Sequence, residues 1–124
     1  SYNFLETHMI QIFGIKNCDT VKKALKWLEQ NNIEYAFHNF KTDGLSKEQL
    51  LSFADKSDWA TLINKRSTTY KQLPDDVKDN LTGDIVIDTV LAQPTLLKRP
   101  ILLKDEQLYS GFKADIYQEI FAND

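Results

Sequence analysis

Apolar and polar residues follow two different periods in the first third of the chain. Residues 9–15 (MIQIFGI) alternate loosely and predict a buried strand. From Thr20, apolar residues recur at i, i+3, i+4 and i+7, which predicts an amphipathic helix ending at Asn31. Residues 33–40 (IEYAFHNF) are rich in aromatic and branched side chains and predict a second strand. A strand, a helix and a strand in this order form a βαβ unit with parallel strands.

The middle of the chain is patterned as helices and turns. Ser46 and Gln49 have the spacing of a capping box ahead of the apolar LLSFA, which predicts a helix start. Residues 59–83 are typical of short helices or turns, with Pro74 suited to a first helical position and Gly83 to a helix stop.

Two further segments complete the pattern. Residues 84–92 (DIVIDTVLA) fit a strand by their branched residues and a helix by their spacing, and periodicity leaves both open. Near the C-terminus, ILLK, a turn at Asp105 and Glu106, and QLYSGF predict a β-hairpin, followed by a last amphipathic helix. The order is βαβ, a helical middle, then ββα. This order predicts one α/β domain over residues 9–121 with a helical insertion at about residues 45–97.

The first eight residues are interpreted separately. A native chain begins with methionine, and the only methionine is Met9. Residues 1–8 (SYNFLETH) are therefore interpreted as residues left by an expression vector. The alternative is a native extension whose initiator methionine was removed before Ser1.

Composition excludes several functional classes. The 124 residues carry a net charge of −3 with acids and bases intermixed, which argues against direct nucleic acid binding. A single cysteine cannot form an internal disulfide or a multi-cysteine zinc site. The acidic residues Asp75, Asp76 and Asp79 are interpreted as a solvated helix face and not as a metal site. We expect a cytoplasmic protein without a metal, a bound cofactor or a membrane segment.

Cys18 is the candidate nucleophile. A lone cysteine is often a small buried hydrophobe. Cys18, however, follows the first predicted strand by a short polar loop and falls at the start of the first helix. Free backbone N–H groups and the helix dipole favour a thiolate there, and the thiolate is the reactive form. Asn17 and Thr20 flank the sulfur as hydrogen-bond donors or, equally, as loop and cap residues.

Arg66 and Arg99 are the candidate anion ligands. They are the only arginines among fifteen basic residues, and a guanidinium binds oxyanions and carboxylates in a bidentate manner. Two chance surface charges would explain the same count. Pro100 opens the third predicted strand, and most X-Pro bonds are trans. His38 lies in the middle of a predicted strand and is interpreted as structural.

Three motifs in order, GIKNCDTVKKALKWLE, LINKRSTTY and LLKRPILL, resemble the arsenate reductase-like (ArsC) family. The similarity extends to its YffB-type branch and, more distantly, to the regulator Spx. The resemblance implies a thioredoxin-like fold with a four-stranded mixed sheet and makes residues 84–92 a helix. It further implies that Cys18 is the catalytic cysteine, that Arg66 and Arg99 bind the oxyanion, and that Pro100 is a cis-proline facing the nucleophile.

Two positions depart from the family pattern. Arsenate reductases of this type have a third arginine in the hairpin after the proline, where this chain has Ser110 and Gly111. Fewer positive ligands disfavour arsenate as the substrate. Val21 occupies the position of the second cysteine of Spx, so the chain lacks an internal resolving thiol.

The resemblance and these departures predict a monomeric thiol or oxyanion reductase. Cys18 would attack an oxyanion or a disulfide, and glutathione or a glutaredoxin-type partner would resolve the product. Arg66 and Arg99 would hold the oxyanion or the carboxylates of glutathione, and the backbone at Pro100 would align the thiol's peptide. The alternative is an Spx-like regulator that binds RNA polymerase without contacting nucleic acid.

Overall fold

The structure is a computed structural model that describes residues 9–122. The interpretation of residues 1–8 therefore lies outside the described residues. The described chain divides into two compact units, one formed by residues 9–43 and 99–122 and the other by residues 44–98. The single-domain organisation over residues 9–121 stays a prediction.

The first unit contains a four-stranded mixed sheet. Its strands are β1 (Ile10–Gly14), β2 (Tyr35–Asn39), β3 (Ile101–Lys104) and β4 (Gln107–Ser110). The spatial order is β2-β1-β3-β4, with β1 and β2 parallel and the other two pairs antiparallel. The predicted βαβ unit and hairpin are confirmed.

The helices follow the predicted order. They are α1 (Asp19–Gln30), α2 (Phe40–Asp43), α3 (Lys47–Lys56), α4 (Trp59–Leu62), α5 (Thr68–Lys71), α6 (Asp75–Lys78), α7 (Gly83–Ala92) and α8 (Ala114–Ile120), with a 3₁₀ turn at Pro94–Leu96. Helices α1, α2 and α8 belong to the first unit, and α3 to α7 belong to the second. Within residues 9–122, no helix has the length and apolar composition that a membrane span requires.

The apolar stripe of α1 packs on the sheet as its spacing predicts. Val21, Ala24 and Leu28 are each fully buried. Ala24 and Leu28 form one core cluster with Ile10, Ile12, Leu102 and Tyr117. Helix α1 ends at Gln30 and is capped by Asn31, whose side-chain Nδ2 donates to the carbonyl oxygen of Trp27.

Strand β2 begins at Tyr35 and not at the predicted residue 33, and it ends one residue earlier than predicted because Asn39 turns the chain. Asn39 Oδ1 accepts from the backbone N of Lys41, and the Asn39 backbone N donates to Asp43 Oδ2. Asparagine side chains that bond nearby backbone N–H groups favour turns over strands. Phe40, predicted to end the strand, therefore begins α2 and is buried there.

The hairpin turn has the geometry that its length requires. Asp105 and Glu106 have φ values of 51° and 66°. Two-residue hairpin loops of type I′ need positive φ at both central positions, because that backbone twist matches the twist of the strands. The turn therefore fixes the register of β3 and β4.

In the second unit, some of the predicted helix boundaries are confirmed and others are wrong. The capping box is present, with Ser46 Oγ accepting from Gln49 N and Gln49 Oε1 accepting from Ser46 N. Residues 84–92 are helical, as the resemblance implies. Pro74 is the N-cap of α6 and not its first helical residue.

Gly83 as a helix stop is wrong. Helix α6 already ends at Lys78, and the Asn80 side chain donates to the carbonyl oxygen of Asp76. This amide satisfies a C-terminal carbonyl that would otherwise lack a partner. Gly83, with φ of 54°, instead opens α7.

The Tyr117 hydroxyl is an unsatisfied polar group in the core of the first unit. The residue is 1% exposed, and its hydroxyl has no hydrogen-bond partner among the described residues. Its ring makes edge contacts with Trp27 and Phe112, at centroid distances of 5.6 and 4.7 Å. Burial raises the pKa of Tyr117 above its ordinary value.

Tyr117→Phe is expected to stabilise the protein by about 1 kcal/mol at neutral pH, because an unpaired buried hydroxyl is costly. In the unfolded state the Tyr117 hydroxyl ionises near pH 10, whereas its pKa in the folded state is higher. The free energy of unfolding of the wild-type protein therefore falls as the pH rises above about 10. The advantage of the variant should then grow by about 1.4 kcal/mol per pH unit. Urea unfolding of both proteins at pH 7 and at several values above 10 measures this difference. A constant difference would show that the hydroxyl is not buried in the native state.

Candidate active site

Three segments of the first unit meet at one end of its sheet. Gly14, the last residue of β1, pairs with Asn39, the last residue of β2. Strand β3 runs antiparallel to β1 and pairs Ile101, its first residue, with Phe13. The loop after β1, which leads to Cys18, and the Arg99–Pro100 segment before β3 therefore lie at the same end of the sheet.

Cys18 is the N-cap of the twelve-residue helix α1. Its backbone is extended, its N–H donates to the Ile15 carbonyl oxygen at 3.1 Å, and its carbonyl oxygen accepts from Lys22 N at 2.9 Å. The thiol is free and half-buried, and it makes no capping hydrogen bond. An N-cap side chain is the group best placed to meet the free N–H groups of the first helical turn. Cys18 is therefore a partly exposed residue whose side chain lies beside the free N–H groups at the start of α1.

Val21 sets the distance between the start of α1 and the end of β1. A methyl carbon placed on the Gly14 Cα would lie 2.7 Å from Cγ2 of Val21. Val21 is 0% exposed, so it has no free space into which to retreat. The absence of a side chain at Gly14 thus allows the helix start, and with it Cys18, to approach the sheet this closely. The sequence pattern places Gly14 within a strand and carries no signal of this role.

Pro100 follows a cis peptide bond and is buried. The cis bond agrees with what the resemblance implies and departs from the general preference for trans. The carbonyl oxygen of Pro100 accepts from Gly111 N at 2.8 Å, and Gly111 has φ of 82°. Gly111 and Ser110, the positions at which the resemblance implies a third arginine in arsenate reductases, therefore lie at the same end of the sheet and bring no charge to it.

Arg99 is half-buried at this end, next to Pro100. Among residues 9–122, neither Arg99 nor Arg66 forms an ion pair with a carboxylate. The guanidinium of Arg99 is therefore available to an anion.

Arg66 lies in the second unit, where it is exposed on a loop. Its backbone N donates to Asn64 Oδ1, and the Asn64 backbone N donates to the Leu96 carbonyl oxygen at 2.8 Å. This pairing fixes the loop beside the bridge between Ile63 and Leu97. The contribution of Arg66 to the site stays a prediction.

The remaining candidates differ in their surroundings. Asn17 and Thr20 are exposed on either side of Cys18. Their roles as donors stay predictions. His38 is half-buried, and its ring contacts the rings of Phe13 and Phe40 at centroid distances of 5.2 and 5.7 Å, a packing role. Within residues 9–122, no group of three or more His, Cys, Asp or Glu residues is arranged to hold a metal ion.

A mixed four-stranded sheet, a cysteine at the start of the first helix and a cis-proline before the third strand define a thioredoxin-like α/β protein. The chain belongs to the ArsC family, whose model matches residues 13–120. Family and fold class are thus as the sequence predicts.

Two relatives and two solved structures show the breadth of this family. An uncharacterized protein of Haemophilus influenzae is 46% identical over 114 residues, which cover 92% of this chain and all of the relative. The global transcriptional regulator Spx of Streptococcus pyogenes is 29% identical over 118 residues, covering 94% and 87%. A structure named YFFB protein has a TM-score of 0.83 at 36% identity, covering 90% and 97%. An arsenate reductase (ArsC) related protein of Brucella melitensis has a TM-score of 0.76 at 43% identity, covering 91% and 94%.

Proposed function

We propose that this protein is a glutathione-dependent thiol or oxyanion reductase with Cys18 as its single nucleophile. The observation that carries the proposal is a free, half-buried thiol at the N-cap of α1, at the same end of the sheet as Arg99 and cis-Pro100. Membership of the ArsC family and the similarity to an arsenate reductase-related protein support reductase chemistry.

The thiol reaction needs only Cys18 and an external thiol. The Cys18 thiolate attacks one sulfur of a glutathione disulfide, the S–S bond breaks, and one glutathione leaves as its thiolate. A glutathione or glutaredoxin-type thiolate then attacks the mixed disulfide and releases Cys18. This step moves the disulfide bond to the incoming thiol and returns Cys18 as its thiolate. The second thiol of a glutaredoxin-type partner then attacks that bond and releases the second glutathione, which completes the two-electron reduction and leaves the protein unchanged.

An oxyanion would be reduced by the same groups. The Cys18 sulfur bonds to the central atom, and one oxygen leaves as water after protonation. A glutathione thiolate then attacks the Cys18 sulfur, so the two electrons of the broken bond stay on the central atom. A second glutathione resolves the resulting mixed disulfide. Arg99, and Arg66 if it reaches the site, would bind the oxyanion or a glutathione carboxylate. Arsenate is the less favoured substrate, because Ser110 and Gly111 supply no third positive charge.

The proposal is tested by incubating the folded protein with oxidised glutathione near neutral pH and weighing it intact. We expect one glutathione per chain on the wild type, released by reduced glutathione, and none on Cys18→Ser. Because the chain has one cysteine, any adduct on the wild type is on Cys18.

A matched control separates the site from helix position alone. Cys18→Ser combined with Ser46→Cys moves the only thiol to the N-cap of α3, in the second unit. The native thiol should react at least about tenfold faster, because Arg99 would add a charge-assisted contact to glutathione. Equal rates for the two proteins, or no adduct on the folded wild type, would refute the proposed site.

An Spx-like regulator is the second candidate function, favoured by the 29% identity to that relative. Such a protein would bind RNA polymerase subunits stably and show no turnover of glutathione disulfides. The position of the second Spx cysteine is occupied here by Val21, which is fully buried and would not form a thiol switch with Cys18. Turnover without stable polymerase binding would select the reductase.

A further inference from the structure

The second unit contains a cavity of about 310 Å³ that the proposed reductase reaction does not use. Its walls carry two aromatic side chains, Trp59 and Tyr70, on α4 and α5, and an apolar surface from Ile63 and Leu81. A volume near 300 Å³ with aromatic walls is at the lower end of the range for small-molecule sites. The cavity is therefore large enough for one ring and a polar group.

The charged side chains around this cavity favour an anion. Lys65, Lys78 and Asp79 line it, which leaves one positive charge in excess. The side chain of Lys78 is only 24% exposed, and its Nζ lies 5.6 Å from the centre of the Tyr70 ring. Its carboxylate partner, Asp75 Oδ1, is 4.0 Å away on a side chain that is 98% exposed. An ion pair at this distance, with an exposed carboxylate, contributes little to stability.

The Lys78 ammonium consequently retains unused donor capacity. Among the described residues it makes no hydrogen bond, and its side chain is only partly exposed, so its N–H donors are open to the acceptor of a ligand. Thr82, which also lines the cavity, is the N-cap of α7 but makes no capping bond with its side chain. The cavity lining thus carries two ammonium groups against one carboxylate, and the carboxylate of a ligand would accept hydrogen bonds from the ammonium groups.

We propose that this cavity binds a small aromatic carboxylate. Its ring would pack on Trp59 and Tyr70, and its carboxylate would accept hydrogen bonds from Lys78 and Lys65. All of these residues belong to the second unit, and none is part of the Cys18 site. The proposal is therefore independent of the reductase function.

A second cavity in the first unit serves as an internal control. Its volume is also about 310 Å³, and it is lined by Trp27, Asn31, Asn32, Ile33, Gln118 and Phe121, with no charged side chain. The chain has only two tryptophans, and each lines one of the two cavities. The two indole N–H groups are thus separate reporters of an aromatic cavity with lysines and one without.

The test is a titration of the ¹⁵N-labelled full chain with benzoate and, separately, with its neutral isostere benzamide, followed by NMR. The Trp59 indole signal should shift saturably with benzoate, and benzamide should bind there about tenfold more weakly, because it lacks the charge-assisted contacts. The Trp27 signal should not distinguish the two compounds. A Trp59 signal that does not saturate with benzoate, or that responds equally to both, would overturn the proposal.

Two variants identify the residue responsible. Lys78→Gln should weaken benzoate binding about tenfold while leaving benzamide binding unchanged, so the benzamide response also verifies that the cavity is intact. Lys71→Gln removes the same charge from the exposed end of α5, outside the cavity lining, and should leave benzoate binding unchanged. Equal losses in both variants would show general charge attraction and would overturn the assignment to Lys78.

Discussion

Replacing Gly14 by alanine is expected to lower the free energy of unfolding by about 2 kcal/mol and to slow the reaction of Cys18 with oxidised glutathione. The added methyl carbon would lie 2.7 Å from Val21 Cγ2, closer than packed carbons approach, and 3.4 Å from Cγ1, at the edge of ordinary contact. Overpacking of this kind typically costs 1 to 3 kcal/mol. Since Val21 is in the first turn of α1, relief of the clash would move the helix start and the sulfur at its N-cap.

A double-mutant cycle distinguishes this contact from a general effect of the substitution. Val21→Ala removes both γ methyl carbons, including the Cγ2 that would clash, and leaves a cavity, which by itself should cost about 2 kcal/mol. The added methyl of Gly14→Ala would then occupy part of that space, so the double variant should lose at least about 1 kcal/mol less than the sum of the single variants. Urea unfolding gives the three energies, and the rate of adduct formation is measured on the same proteins. Additive losses would contradict the contact.

The sequence predicted those elements whose signals are local. The 3.6-residue spacing of Val21, Ala24 and Leu28 reports one buried face, and the Ser46–Gln49 pair reports a helix start through two hydrogen bonds within one turn. In both cases the residues that carry the signal also make the interaction. This explains why α1, α3 and the hairpin could be predicted from the chain alone.

The predicted ends of two elements were wrong because a polar side chain at each end forms hydrogen bonds that stop the element earlier. The Asn39 side chain ends β2 before Phe40, an aromatic residue that suits a strand, and the Asn80 side chain ends α6 before Gly83, the predicted stop. Which carbonyl or N–H group an asparagine side chain bonds depends on the three-dimensional structure and not on the spacing of residues in the sequence. The patterns therefore predict these ends too late, by one residue for β2 and by several residues for α6.

The features of the candidate site differ in how far the sequence predicts them. The position of Cys18 at a helix start follows from the order of elements, whereas the cis bond at Pro100 came only from the family resemblance. The close approach of Gly14 and Val21 depends on the packing distance between α1 and β1. The periodicity of apolar residues within one element does not contain this distance. The lysine-bearing cavity of the second unit is formed by several short helices, so it too has no signature in the sequence.

Arg99→Gln is expected to reduce the rate of glutathione adduct formation on Cys18 by about tenfold to hundredfold, with little change in stability. Arg99 is half-buried at the same end of the sheet as Cys18 and has no carboxylate partner within residues 9–122, so its guanidinium is free to bind a glutathione carboxylate. Loss of a charge-assisted hydrogen bond corresponds to about 1.5 to 3 kcal/mol. The second-order rate constant with oxidised glutathione, measured by intact mass against time, gives this effect.

Two further variants separate bidentate binding from simple charge. Arg99→Lys keeps the charge but loses the planar fork, so its rate should fall between those of the wild type and Arg99→Gln. Lys41→Gln removes an exposed charge from α2, just after β2 at the same end of the sheet, and should change the rate by no more than about twofold, since exposed charges are screened. If Lys41→Gln slowed the reaction as much as Arg99→Gln, the rate would reflect the net charge of this surface. If Arg99→Gln reacted as fast as the wild type while Cys18→Ser remained inert, the nucleophile would stand and the anion ligand would have to be sought elsewhere.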